Sequence, residues 1–291
     1  MRKGRLIKEF IKRGEILVSL GAFNAISARI IDQAGIPSVY VTGYGAAANI
    51  LGKPDIGLLT MTEMVNHIKG IVDVVQGAVI ADADTGYGNP LNVQRTVKEY
   101  ERAGVAAIQL EDQIWPKRCG HMTGKQIIPA EEMVQKIRAA VDARESEDTL
   151  IIARTDAIAV EGFEEAARRI KMYHHAGADI LFVEAPENLE QLKEIPKLVQ
   201  GGAFLANMIE GGATPLLTAQ ELQDMGYAIV IYPISTLYAM TKAVMELVEE
   251  VKRSGTTAGM LSRMVSFADF NEIVGLKDFQ TLEKQYGLIK E

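Results

Sequence analysis

The chain has 291 residues, 48% of them hydrophobic and 24% charged, which fits a packed globular protein and excludes a disordered one. A net charge of −7 with no basic run argues against nucleic acid or an anionic membrane surface as a partner. The single cysteine forms no internal disulfide, which suits the cytoplasm.

Residues 2–13 read as an amphipathic helix with Leu6, Ile7, Phe10 and Ile11 inward. Lys8, Glu9, Lys12, Arg13 and Glu15 break the apolar pattern, so the stretch is not a secretory signal. No run of about 18 apolar residues follows, and no bilayer span is expected. Short apolar runs predict strands at Ile16–Leu20, Ser38–Thr42, Ala78–Ala81, Ala107–Leu110, Ile151–Arg154, Ile180–Val183, Phe204–Ala206 and Ile229–Ile231. Helical patterns lie near 25–34, 63–76, 92–103, 130–144, 162–176, 188–199, 218–225 and 235–253. Asn89-Pro90, Pro129-Ala130-Glu131-Glu132 and the capping box Thr218–Glu221 open helices, and Gly35, Gly104, Gly177 and Gly226 close them. No glycine-rich dinucleotide fingerprint follows the first strand, so the repeat predicts a (β/α)8 TIM barrel and not a doubly wound sheet. We assign 1–254 to the barrel and 255–291 to a C-terminal helical extension. Two βα connections are long, 43–61 and 111–129. Both belong to the face where such barrels carry their active sites.

The strand ends collect polar residues that a barrel would point into one cup: Thr42-Gly43-Tyr44, Asp82 and Asp84, Glu111, Arg154, Glu184 and Asn207. At spacing i, i+2, Asp82 and Asp84 project to one side of a strand end. Paired carboxylates repel unless a cation or proton intervenes. With Glu111 and Asp55 they suit a hard divalent cation, Mg2+ or Mn2+. Taken singly, Asp55, Asp112 and Asp156 read equally well as functional carboxylates or as helix caps and solvated loop charges. Lys117-Arg118-Cys119-Gly120-His121 places a lone cysteine between cations, glycine and histidine, a setting expected to lower the thiol pKa and suited to acid–base work. His67, His174 and His175 fall in helical patterns and read as packing. Trp115 and Pro116 anchor the base of the loop, with Gly120 and Gly124 as hinges. Arg154 reads as a clamp on a substrate carboxylate, as an ion-pair partner of Glu111 or Glu184, or as both at once. Thr42, Gly43 and Tyr44 offer amides and hydroxyls to a second carboxylate. The implied substrate is a small anionic acid.

Asp82-Ala83-Asp84-Thr85-Gly86-Tyr87-Gly88, Leu110-Glu111-Asp112-Gln113, Lys117–His121, Ala153-Arg154-Thr155-Asp156-Ala157 and Asn207 with Glu210-Gly211-Gly212 together resemble the isocitrate lyase and phosphoenolpyruvate mutase superfamily over nearly the whole chain. The resemblance implies a TIM barrel whose last helix is swapped between paired subunits of a homotetramer. It implies a metal site at Asp82 and Asp84 with Asp55 and Glu111, and a carboxylate cradle at Thr42, Gly43 and Tyr44. Cys119 matches the catalytic acid, on a closing loop with Lys117, Gly120 and His121. Lys117, Gly120, Arg154, Glu184 and Asn207 match substrate contacts, Tyr40 matches a base, and His121, Glu111 and Arg154 join Cys119 and Tyr40 in the catalytic set. Methylisocitrate lyases carry Arg where this chain has Tyr238 and Phe267, and Phe where it has Gly211. The pattern here resembles the branch of 2,3-dimethylmalate lyases, oxaloacetate hydrolases and petal death proteins. That branch implies a Mg2+-dependent lyase cleaving a 2-alkylmalate-type dicarboxylate to pyruvate and a carboxylate. The alternatives are a methylisocitrate lyase, an oxaloacetate acetylhydrolase, a carboxyvinyl-carboxyphosphonate phosphorylmutase, or an idle barrel kept for binding.

Overall fold

The computed structural model describes residues 3–288. Chain order is α1 (Gly4–Arg13), β1 (Leu17–Ala22), α2 (Ala25–Gln33), β2 (Ser38–Val41), α3 (Gly43–Leu51), α4 (Met61–Val72), β3 (Ala78–Asp82), α5 (Pro90–Arg102), β4 (Ala107–Glu111) and α6 (Ala130–Ala143). There follow β5 (Leu150–Thr155), α7 (Ile158–Glu161), α8 (Phe163–His175), β6 (Ile180–Val183), α9 (Leu189–Glu194), β7 (Ala203–Asn207), α10 (Ala219–Met225), β8 (Ile229–Tyr232), α11 (Ser235–Ser254), α12 (Phe267–Ile273) and α13 (Leu276–Gln285). All eight strands are parallel and pair in sequence order, and β1 closes the barrel on β8 with Leu17 opposite Ile229. The expected (β/α)8 architecture is thus the observed one.

The strand runs are apolar because both faces are covered. Inside the barrel, Leu17, Ile80, Ile152, Ile180, Phe182, Leu205, Ile229 and Ile231 form one core, on which Ile7 of α1 sits fully buried. Leu6, Phe10 and Ile11 pack against the same core, so α1 plugs it as expected; residue 2 lies outside the described residues. A second core fills the layer between strands and helices. Asn89 and Thr218 cap α5 and α10 through reciprocal capping boxes. Gly35, Gly104, Gly177 and Gly226 take positive φ values of 79°, 93°, 101° and 102° just after helices, where a side chain would be strained.

One expectation is corrected: the connection 43–61 is not all loop, because its first nine residues form α3. The chain divides into two compact units after Thr236, at the start of α11, whose one buried residue is Leu237. Swapping of that helix is not a property of a single chain. No helix among the described residues is long and apolar enough to cross a membrane.

Candidate active site

The C-terminal strand ends gather a dense set of buried charges. β3 ends at Asp82, and the chain then turns through Asp84 in the left-handed region, at φ 48°. Asp84 therefore reaches its place by a strained turn and not by strand alternation. The two carboxylates still share a space, since a Cβ on Gly43 would lie 2.9 Å from Asp82 Oδ2 and 3.3 Å from Asp84 Oδ1. The turn is tied down by Thr96, which donates to the Gly86 carbonyl at 3.1 Å. Tyr100 donates to the Asp82 carbonyl, also at 3.1 Å.

A chain of hydrogen bonds reaches Asp82 from inside the barrel. Tyr40 donates to Gln109 Oε1 at 3.1 Å, and Gln109 Nε2 faces Asp82 Oδ1 at 3.4 Å. Burial, with the Asp82 charge beside it, raises Tyr40 well above the ordinary phenol range. Here Tyr40 is a protonated donor. The expected base would have to work against both burial and the surrounding carboxylates.

Lys117, expected to touch substrate, is buried between Asp55 at 2.7 Å and Asp84 at 2.8 Å. Burial alone would discharge the ammonium, but Asp84, Asp55 and Glu111 outweigh it and raise its pKa. Burial pushes Asp84 up to about 7; Lys117 opposes this, while Asp82 and Asp55 add to it. Among the described residues no three His, Cys, Asp or Glu side chains converge closely enough to hold a metal ion. Lys117 instead joins two of the four expected ligands.

Arg154 fulfils the ion-pair alternative, with an unforeseen partner. Its Nε and Nη2 each donate to Asp156 at 2.9 Å, while Glu111 lies 3.3 Å and Glu184 3.6 Å away. Glu111 accepts no hydrogen bond at either oxygen, and burial raises it against the pull of Arg154 and Lys117. Glu184 behaves oppositely. Burial would raise it, but Arg154 and His121 hold it at about 2, and Asn207 donates to it at 3.2 Å. The next residue, Ala185, takes φ 56°, a second strained position beside a buried acid.

The long 111–129 connection is seated on this cluster. Gln113 brackets the Arg118 backbone at 2.8 and 3.0 Å, Trp115 packs 6.0 Å from the Tyr87 ring, and the Cys119 amide donates to the Asp55 carbonyl. His121 Nε2 lies 2.8 Å from Glu184, and its Nδ1 accepts from the Ala213 amide at 3.3 Å. Gly120 presses so closely on the strand ends that a Cβ would sit 2.3 Å from Arg154 Nη2 and 2.7 Å from Glu184. Burial pushes the Cys119 thiol up to about 11, a correction to the expected lowering: nearby cations are outweighed by lost solvation.

Thr42 caps α3 by accepting from the Gly45 amide at 3.4 Å, and the Gly43 amide faces Asp82 Oδ2 at 3.4 Å. The Tyr44 side chain is half-buried beside them. Tyr238 and Phe267 belong to the second unit, and Gly211 lies between β7 and α10 with φ 75°. The sequence reading passed over Gln109, Lys125 and Arg169. An amide within the apolar run of β4 was a usable signal for Gln109. The other two are ordinary surface-type residues until the fold buries them. Arg169 and Tyr173 of α8, with Thr155, hold Asp112 at 3.2, 2.7 and 2.7 Å, and Asp112 accepts the Asp156 amide at 2.9 Å.

A closed parallel barrel with a loop-covered cluster of buried carboxylates and cations at its C-terminal strand ends defines a TIM-barrel enzyme. The model of the phosphoenolpyruvate phosphomutase family matches residues 7–252, and the chain belongs to that family, within the phosphoenolpyruvate mutase/isocitrate lyase superfamily. A 2,3-dimethylmalate lyase of Eubacterium barkeri is 49% identical over 287 residues, 99% of either chain. A solved 2,3-dimethylmalate lyase superposes with a TM-score of 0.93 at 36% identity, over 99% of this chain and 96% of that one. An oxaloacetate acetylhydrolase solved with 3,3-difluorooxalacetate gives 0.93 at 33% identity, covering 98% and 97%. A phosphonopyruvate hydrolase solved with oxalate and Mg2+ gives 0.89 at 29%, covering 98% and 99%.

Proposed function

We propose that this chain is a carbon–carbon lyase that splits a 2-alkylmalate-type dicarboxylate, such as 2,3-dimethylmalate, into pyruvate and a second carboxylate. The observation that carries the reading is the seating of the Cys119 loop on the acidic strand ends, where the Cys119 amide donates to the Asp55 carbonyl and Gly120 is pressed against Arg154 and Glu184; burial there raises the thiol pKa, which suits an acid. Identity of 49% to a 2,3-dimethylmalate lyase over the whole length supports the substrate class.

The residues suit a hard divalent cation. Both oxygens of Glu111 are buried without a hydrogen bond, Asp84 Oδ1 meets the Lys117 ammonium at 2.8 Å, and the four carboxylates outnumber the two cations beside them, Lys117 and Arg154. Among the described residues no three carboxylates converge on one point, but an ion that keeps most of its waters needs only one or two, so Asp82 and Asp84 are the residues that would hold Mg2+ or Mn2+, with Asp55 and Glu111 reaching it through water. When bound, the ion supplies Lewis acidity that lowers the pKa of the substrate hydroxyl.

The amides of Gly43 and Tyr44 at the start of α3, with Thr42, cradle one substrate carboxylate. An ionised carboxylate of the cluster around Glu111 accepts the hydroxyl proton. Tyr40 acts through Gln109 to orient Asp82. The C2–C3 bond breaks, its electron pair passing into the departing carboxylate. The Cys119 thiol delivers its proton to C3, and the proton taken from the hydroxyl returns to the sulfur. Arg154 and His121 offset the departing charge, Asn207 and Glu184 complete the wall, and Lys117 and Gly120 seat the loop that excludes water.

The substrate has two carboxylates, and we infer no nucleic-acid or membrane partner. We infer a cytoplasmic enzyme, from its single cysteine. We also infer a homotetramer of helix-swapped pairs. Val244, Met245, Val248 and Val251 make an apolar stripe along α11, and Phe267 is 86% exposed, so a partner surface is needed.

The test is pyruvate release from 2,3-dimethylmalate. Activity is expected with Mg2+, abolished by EDTA and restored by added Mg2+. Activity indifferent to EDTA would remove the metal, and no pyruvate from any 2-alkylmalate would overturn the assignment.

A further inference from the structure

Lys125 takes no part in the bond-breaking steps, yet its side chain is only 2% exposed. Its ammonium donates to the Gly120 carbonyl and, at 3.1 Å, to Asp156 Oδ1. Gly120 adjoins Cys119, and Asp156 is the carboxylate that grips Arg154. We infer that Lys125 is a positioning residue that latches the Lys117–His121 loop onto the strand ends by tying Gly120 to Asp156. This inference rests on the reading that the loop delivers the catalytic proton.

One end of the latch is fixed. The Asp156 amide is held by Asp112, itself anchored by Thr155, Tyr173 and Arg169. Burial would discharge Asp156, but Arg154 and Lys125 outweigh it and keep its carboxyl below the ordinary range. The other end is a carbonyl in a connection without helix or regular strand, stiffened by one bridge between Gln113 and Ile127. Gln113 holds the outgoing limb at Arg118, and His121 meets Glu184 from the tip. Lys125 is on the returning limb and reaches over to the residue after β5. Its bonds to Gly120 and Asp156 are charge-assisted, the stronger kind. Because Gly120 lies against Arg154 and Glu184, lifting the loop breaks the latch and at the same time exposes more of Cys119, which is half-buried when the loop is seated.

The test uses the full-length protein with Mg2+ and compares Lys125→Met with Lys125→Arg. Cys119 is the chain's single cysteine, so its alkylation by iodoacetamide at fixed pH reads how often the loop opens. Without the ammonium, alkylation is expected to quicken about 10- to 100-fold, the equivalent of one lost charged hydrogen bond. The turnover number falls with it, the melting temperature changes little, and K125R keeps most of the protection. A folded K125M with wild-type alkylation and turnover overturns the inference. So does lost turnover with unchanged alkylation, since Lys125 would then only balance Asp156. Should K125M fail to fold, K125R and K125Q carry the same reading: Arg protects and Gln does not, and equal rates overturn it. Alkylation requires no turnover, so an error in the substrate assignment leaves this result standing.

Discussion

Cys119 illustrates how a residue's chemistry is set by what surrounds it in space. Its sequence neighbours, Arg118 and His121, suggest a reactive thiolate; in the fold, burial prevails and the pKa rises to about 11. A thiol that keeps its proton is what an acid needs. Cys119→Ser is expected to lower the turnover number by about 10²–10⁴-fold with the circular dichroism unchanged. The alkaline limb of activity should fall toward pH 11; loss of activity between pH 7 and 9 would contradict a buried thiol acid. Glu184 carries the opposite sign. Its folded pKa of about 2 lies below the ordinary 4.5, so its contribution to stability is full above pH 4.5 and fades as pH falls toward 2. Glu184→Gln should flatten acid denaturation across that window, and an unchanged pH profile would show that Arg154 and His121 do not stabilise its charge.

At the scale of elements, the long 111–129 connection governs access to the strand ends. Gly120→Ala is the sharpest probe, because its Cβ would collide with Arg154 and Glu184. The fold should survive while kcat/KM drops by about 100-fold or more, as expected for misplaced catalytic groups. Near-normal kinetics would mean that the loop does not seat during turnover. The strands were legible from apolar, β-branched runs, and α5 and α10 from their caps. α3 was not, since Gly43 and Gly45 are poor helix formers. Tertiary contact overrides that propensity: Gly43 lies against Asp82, and a Cβ on Gly45 would meet Thr42 at 2.7 Å and Phe23 at 3.0 Å. The left-handed turn at Asp84 was equally hidden, because strand alternation was the simpler reading of its spacing.

Across the whole molecule, the eightfold repeat and most strand-end polar residues could be read in advance, because both follow from local pattern and the geometry of the barrel. The links of Arg169 to Asp112 and of Lys117 to Asp55 could not, for they join residues 57 and 62 positions apart. The apolar stripe of α11 belongs to this scale too. Light scattering is expected to give four chains per particle, and a stable monomer would contradict the need for a partner surface. The measurement that bears most directly on the central claim offers 2,3-dimethylmalate, citramalate, 2-methylisocitrate and oxaloacetate side by side with Mg2+, following pyruvate and oxalate together. Pyruvate from the two malate derivatives, with little from 2-methylisocitrate and no oxalate, is the predicted result. Fast cleavage of 2-methylisocitrate, or oxalate without pyruvate, would contradict it.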